Sequence, residues 1–119
     1  MKYSAVKTVE PDYLRITADG EYYFEDLPAF IGYIKAEASA AKRSHVLIDC
    51  LALAGDMTEG ERFEGGRLIA DVFGPGLRAA LLLPPHFITK LGELAAANRG
   101  AKLLVTSSEV EALKWLRKV

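Results

Sequence analysis

The chain has 119 residues, half of them apolar and about a quarter charged, which suits one globular domain over 1–119 and excludes a disordered or fibrous polymer. Fifteen basic against sixteen acidic side chains leave a formal charge of −1, without the positive excess that drives phosphate-backbone binding, so nucleic acid is not an expected partner. The lone cysteine cannot form an internal disulfide, no run approaches the ~18 apolar residues of a membrane span, and no long apolar stretch follows Lys2. A cytoplasmic protein without a membrane span is expected.

Tyr3 to Val9 and Tyr13 to Ala18 alternate roughly, with Glu10-Pro11-Asp12 supplying turn chemistry between them. They predict an N-terminal hairpin whose second strand is broken by Asp19-Gly20. Asp26 before Leu27-Pro28 predicts an N-cap followed by a first-turn proline. Leu27, Phe30, Ile31, Ile34, Ala38 and Ala41 then recur at helical spacing as one stripe, closed by Lys42-Arg43-Ser44.

Val46 to Leu51 is short, continuous and apolar, the pattern of a central strand covered on both faces. A second helix follows from Thr58 to Phe73, with Phe63, Ile69, Val72 and Phe73 inward. Its Gly65-Gly66 pair costs about 1 kcal/mol per glycine relative to alanine, which marks close packing or a weak point. Gly74-Pro75-Gly76 ends that helix, and Arg78 to Leu83 forms a strand stopped by Pro84-Pro85.

Phe87, Ile88, Leu91, Leu94 and Ala95 fit a third helix, with Asn98-Arg99-Gly100 as its stop. Lys102 to Thr106 is a further strand. Ser108 and Glu111 then form a capping box opening a last helix through Lys118, with Val110, Leu113 and Leu116 inward. A hairpin followed by α-β-α-β-α-β-α implies an α/β fold: a mixed, mostly parallel sheet of about five strands, right-handed crossovers and four helices.

In such sheets ligands and partners dock beyond the carboxyl ends of the strands, where helix N-termini meet loop amides. That places Asp49, the loop from Ala52 to Met57, Asp56 and Thr58 together as the candidate binding region. Asp49 either braces loop amides, pairs with a cation or contacts a ligand. Thr58 and Glu61 read first as a capping box. A negative charge added at this helix start would meet a favourable helix dipole but also the negative charges of Asp56, Glu59 and Glu61.

The remaining residue types point to structure before chemistry. Cys50 has no histidine near it in sequence and reads as core. His45 and His86 are too scattered for zinc spacing, so neither a metal site nor a cofactor is expected. Arg99 complements a helix C-terminus, and Trp115 lies off the apolar stripe of its helix, for edge packing or a dimer interface. No phosphate-binding glycine loop, dinucleotide fingerprint or serine elbow is present, so an enzyme is not expected.

Val46-Leu47-Ile48-Asp49, Asn98-Arg99-Gly100-Ala101 and Glu111-Ala112-Leu113-Lys114-Trp115-Leu116, in this order of elements, resemble the SpoIIAA-like family, which joins STAS domains to small CRAL-TRIO-like, lipid-transfer-related proteins. The resemblance implies a β-α superhelix and a protein that binds rather than catalyses. In anti-sigma-factor-antagonist STAS domains a phosphorylatable hydroxyl opens the helix after the central strand, and Thr58 holds that place here. The acid-serine-serine-glycine signature is absent; the loop reads Ala52-Leu53-Ala54-Gly55-Asp56-Met57-Thr58-Glu59-Gly60. The expected function is a cytoplasmic protein-binding or regulatory module, with a homodimer as one form it takes. The alternative is a carrier of a small apolar ligand or lipid.

Overall fold

The computed structural model describes residues 3–89, 93–94 and 97–117. Five strands lie side by side in chain order: β1 (Tyr3–Val9), β2 (Leu14–Glu21), β3 (His45–Ala54), β4 (Arg78–Leu82) and β5 (Lys102–Thr106). β1 runs antiparallel to β2 through the expected hairpin, and the other three pairings are parallel. Among the described residues there are three α-helices: α1 (Leu27–Ala41), α2 (Glu59–Phe73) and α3 (Glu109–Leu116).

Of the four expected helices, three are present as elements among the described residues. Phe87 closes a 3₁₀ turn, Pro85–Phe87, and Ile88 is extended at φ −96° and ψ 118°, so no helix begins there. Pro85 disfavours helical geometry at Pro84, which adopts φ −56° and ψ 146°, so the turn begins only at Pro85. Glu93, Leu94 and Ala97 are helical and Gly100 turns at φ 86°, while Leu91 and Ala95 of the expected stripe lie outside the described residues.

β3 is covered on both faces from Val46 to Cys50, whereas Leu51, the last residue of the expected buried run, is 41% exposed. Val46, Ile48 and Cys50 face the large core shared with α1 and α2, where Leu14, Ile16, Ile34 and Phe73 are also buried. Leu47 points the other way, into a smaller cluster with Tyr13, Ala80, Leu82, Ala112 and Leu116 beneath α3.

Both central strands run further than their sequence suggests. β2 continues through Gly20 to Glu21 because a bulge between Thr17 and Asp19 shifts the register, and glycine accepts the φ of 114° that follows. β3 therefore pairs as far as Ala54, so Ala52–Ala54 are strand and the exposed loop shrinks to 55–57.

Two inward assignments are also corrected. Phe63 is 40% exposed and Val110 78% exposed. α2 buries Gly65, Gly66, Ile69, Ala70 and Phe73 instead, and α3 buries Ala112 and Leu116. Gly65 does mark close packing, since a Cβ there would stand 3.3 Å from Leu27 Cδ2 of α1. α3 ends at Leu116, with Lys118 beyond the described residues. Ser108 caps α3 by accepting from the Glu111 amide.

Candidate functional site

The capping box at α2 is complete. The Thr58 hydroxyl accepts from the Glu61 amide at 3.1 Å, and the Glu61 carboxylate accepts from the Thr58 amide at 3.0 Å. Two of the amides left over at a helix start are thereby satisfied. Asp56, exposed in the preceding loop, accepts from the Met57 amide. A shallow concave surface surrounds this cap, lined by Phe24, Thr58, Glu59, Gly60, Glu61, Phe63 and Glu64. An exposed aromatic ring amid three glutamates is the unusual element here, because such rings carry much of the energy of protein interfaces.

Asp49 does not join that surface. Its side chain lies on the α3 face of β3, where Oδ2 accepts from Arg15 at 2.8 Å and Oδ1 from the Leu51 amide at 3.2 Å. Arg15 also pairs with Glu109 in the first turn of α3. Asp49 thus combines the two structural roles open to it, cation pairing and loop bracing. Among the described residues no hydrogen bond or ion pair joins it to Asp56 or Thr58.

A second feature is a cavity of about 110 Å³ beneath α1 and α2. Its floor is the sheet, at Ala18, Cys50 and Val105; its walls are Leu27 and Phe30 of α1 and Gly65, Gly66 and Ile69 of α2; Phe87 and Ile88 close another side. Small side chains at Ala18, Cys50 and the glycine pair leave the space that larger ones would fill.

Tyr22 and Asp26 stand at this cavity with buried polar atoms, the Tyr22 hydroxyl and Asp26 Oδ2, that have no hydrogen-bond partner among the described residues. Burial and then the nearby Glu61 charge push the Tyr22 hydroxyl pKa well above its ordinary value, and its ring tilts against Phe87 at 6.0 Å.

The expected Asp26 cap is corrected here. Asp26 occupies the N-cap position of α1 but makes no side-chain cap bond, because the 3₁₀ turn Phe24–Asp26 holds it in a helical conformation, φ −84° and ψ −14°. A capping side chain works from extended backbone, as Thr58 does at φ −74° and ψ 163°.

Cys50 is buried at the cavity floor, with its thiol pKa pushed up to about 12, first by burial and then by the Asp49 charge. It is a protonated core thiol, not a nucleophile at neutral pH. His86 meets the Gly55 carbonyl, and Arg62 donates to the carbonyls of Phe87 and His86, tying α2 to the turn after β4. Trp115 is half-buried under the guanidinium of Arg78, 3.7 Å from the ring centroid. Among the described residues no group of three His, Cys, Asp or Glu is placed to hold a metal ion, and no helix is long and apolar enough to cross a membrane.

No protein-family model matches the chain, and no curated protein matches it in sequence. Its structure is similar to that of an anti-sigma factor antagonist from Mycobacterium paratuberculosis, with TM-score 0.65 and 13% identity, covering 98% of this chain and 95% of that one. It is also similar, at TM-score 0.43 and 17% identity, to an uncharacterized protein of the DUF3478 family with a SpoIIAA-like fold from Shewanella loihica, covering 96% of this chain and 93% of that one. The likeness is one of fold: this is an α/β chain with a five-stranded mixed sheet, similar in structure along nearly its whole length to that anti-sigma factor antagonist.

Proposed function

We propose that the chain is a non-catalytic regulatory module that docks a protein partner on the surface where β3 hands over to α2. The observation that carries this reading is the exposed Phe63 set in a concave surface with Glu59, Glu61 and Glu64 around it. A fold shared along nearly the whole length with an anti-sigma factor antagonist supports the same reading. An acidic rim around an aromatic anchor complements a partner that presents basic side chains around an apolar socket.

Within this proposal Asp56 belongs to the rim and Thr58 is its regulatory position. A phosphate on Thr58 would take the hydroxyl from the Glu61 amide and add charge beside Asp56, Glu59 and Glu61, weakening the start of α2 and altering the surface together. Asp49, held by Arg15 on the other face, acts as a brace for this end of the sheet.

The test is affinity capture with the parent, Phe63→Ala and Asp56→Ala/Thr58→Ala proteins at two salt concentrations. The proposal expects a partner recovered by the parent, weakened by salt and lost with Phe63→Ala. A set of partners identical for all three proteins contradicts it.

The cavity favours a second reading, a binder of a small apolar ligand. A pocket with an apolar lining and a few buried polar atoms has the make-up of small-molecule sites.

A further inference from the structure

The cavity beneath α1 and α2 is lined almost wholly by carbon, yet Asp26, one of its lining residues, has a buried carboxylate oxygen, Oδ2, with no hydrogen-bond partner among the described residues. An ionised carboxylate only accepts hydrogen bonds, so the group that would satisfy it is a donor, and a cationic donor offsets its burial best. Among the described residues that line the cavity, Glu21, Asp26 and Glu93 are acidic and Arg62 is basic, and the Arg62 Nε and Nη2 already donate to the carbonyls of Phe87 and His86. Glu21 accepts from the Tyr23 hydroxyl and Glu93 from the Val105 amide, which leaves Asp26 as the acceptor still to be met.

Size limits the occupant. At about 110 Å³ the cavity falls a little below the ~150 Å³ engineered cavity that holds benzene, so one ring or a short branched alkyl group fits within it.

We propose that this cavity binds a small apolar amine, its body between Leu27, Phe30, Cys50 and Ile69 and its ammonium group donating to Asp26 Oδ2. This rests on the small-ligand reading above and adds the chemistry of the head group. The Tyr22 hydroxyl, held protonated, offers a second polar contact.

The test is a protein-observed NMR titration with phenethylamine, phenethyl alcohol and phenylacetate, which share a ring and differ in the head group. The amine is expected to bind about tenfold or more tighter than the alcohol, with phenylacetate weakest, and to shift the amides of residues around Cys50 and Ile69. Asp26→Asn is expected to remove the amine's advantage while the alcohol's affinity is kept. Equal affinities for amine and alcohol overturn the head-group assignment and leave the apolar cavity as a ligand site. No cavity shift with any of the three overturns both. Should Asp26→Asn fail to fold, the ranking of the three probes on the parent protein decides alone.

Discussion

Asp26 has the residue type and the position of a helix cap, and a run of Asp-Leu-Pro carries no sign that a 3₁₀ turn will hold it in helical backbone. Its carboxylate stands instead at a cavity, with one oxygen unpartnered. Asp26→Ala is therefore expected to raise stability by about 1 kcal/mol in urea unfolding, because an unpaired buried acceptor is removed, where loss of a true cap would lower it by a similar amount. Thr58 is the control: Thr58→Ala is expected to cost about 1 kcal/mol and Thr58→Ser much less. That cap was legible from Thr58 and Glu61 alone because both partners of a capping box lie within one turn of sequence. Cys50 supplies a pH signature. Its pKa rises from 9.0 to about 12 on folding, so the unfolded chain releases this proton first, and the stability it contributes is complete below pH 9 and lost as pH climbs toward 12. The expected slope is about 1.4 kcal/mol per pH unit at most, steepening as the Tyr22 hydroxyl, also raised, adds its share above pH 10. Melting temperatures from pH 8 to 10 should fall more steeply for the parent than for Cys50→Ala.

Among the elements, those whose evidence is local were readable. The hairpin, α1 and β3 each follow from a short stretch of alternation, stripe or continuous apolar run, and the parallel order follows from their sequence. The lengths of β2 and β3 were not readable, since both depend on a bulge at Thr17/Asp19 that lets them pair beyond Gly20. Nor was the inner face of α2. A bulky Phe63 weighs more than two glycines in any hydrophobic stripe, yet both glycines are buried and Gly65 is where α2 comes close to Leu27 of α1. Gly65→Ala tests how tight that approach is. The added methyl would meet only Leu27 Cδ2, a mobile chain end with the cavity beside it, so Leu27 can yield. The helix then keeps the gain in propensity, and unfolding measurements should show up to about 1 kcal/mol of stabilisation. Gly65→Leu should instead occupy the cavity and weaken phenethylamine binding.

For the molecule as a whole, the sheet divides two unequal layers. α1 and α2 cover one face with the main core and the cavity; α3 covers the other with a smaller cluster. The Arg15 guanidinium links β2, β3 and α3 through Asp49 and Glu109, so a double-mutant cycle on Arg15→Ala and Asp49→Ala should give a coupling of about 1 kcal/mol, more than a fully exposed pair supplies. The candidate binding region at the end of β3 was legible as a location, because it follows from the topology of parallel sheets. Its chemistry was less legible: Thr58 caps α2 and lines the concave surface, Asp56 sits in the loop before it, Asp49 faces the other layer, and Phe63 emerged only once its side of α2 was known. The most direct test of partner docking at this surface is photo-crosslinking in cells from a benzophenone side chain at position 63, with position 6 on the edge strand as the control, both being exposed. Docking at the start of α2 predicts a discrete crosslinked protein from position 63 that is absent from position 6. The same products from both positions, or none from position 63, would contradict it.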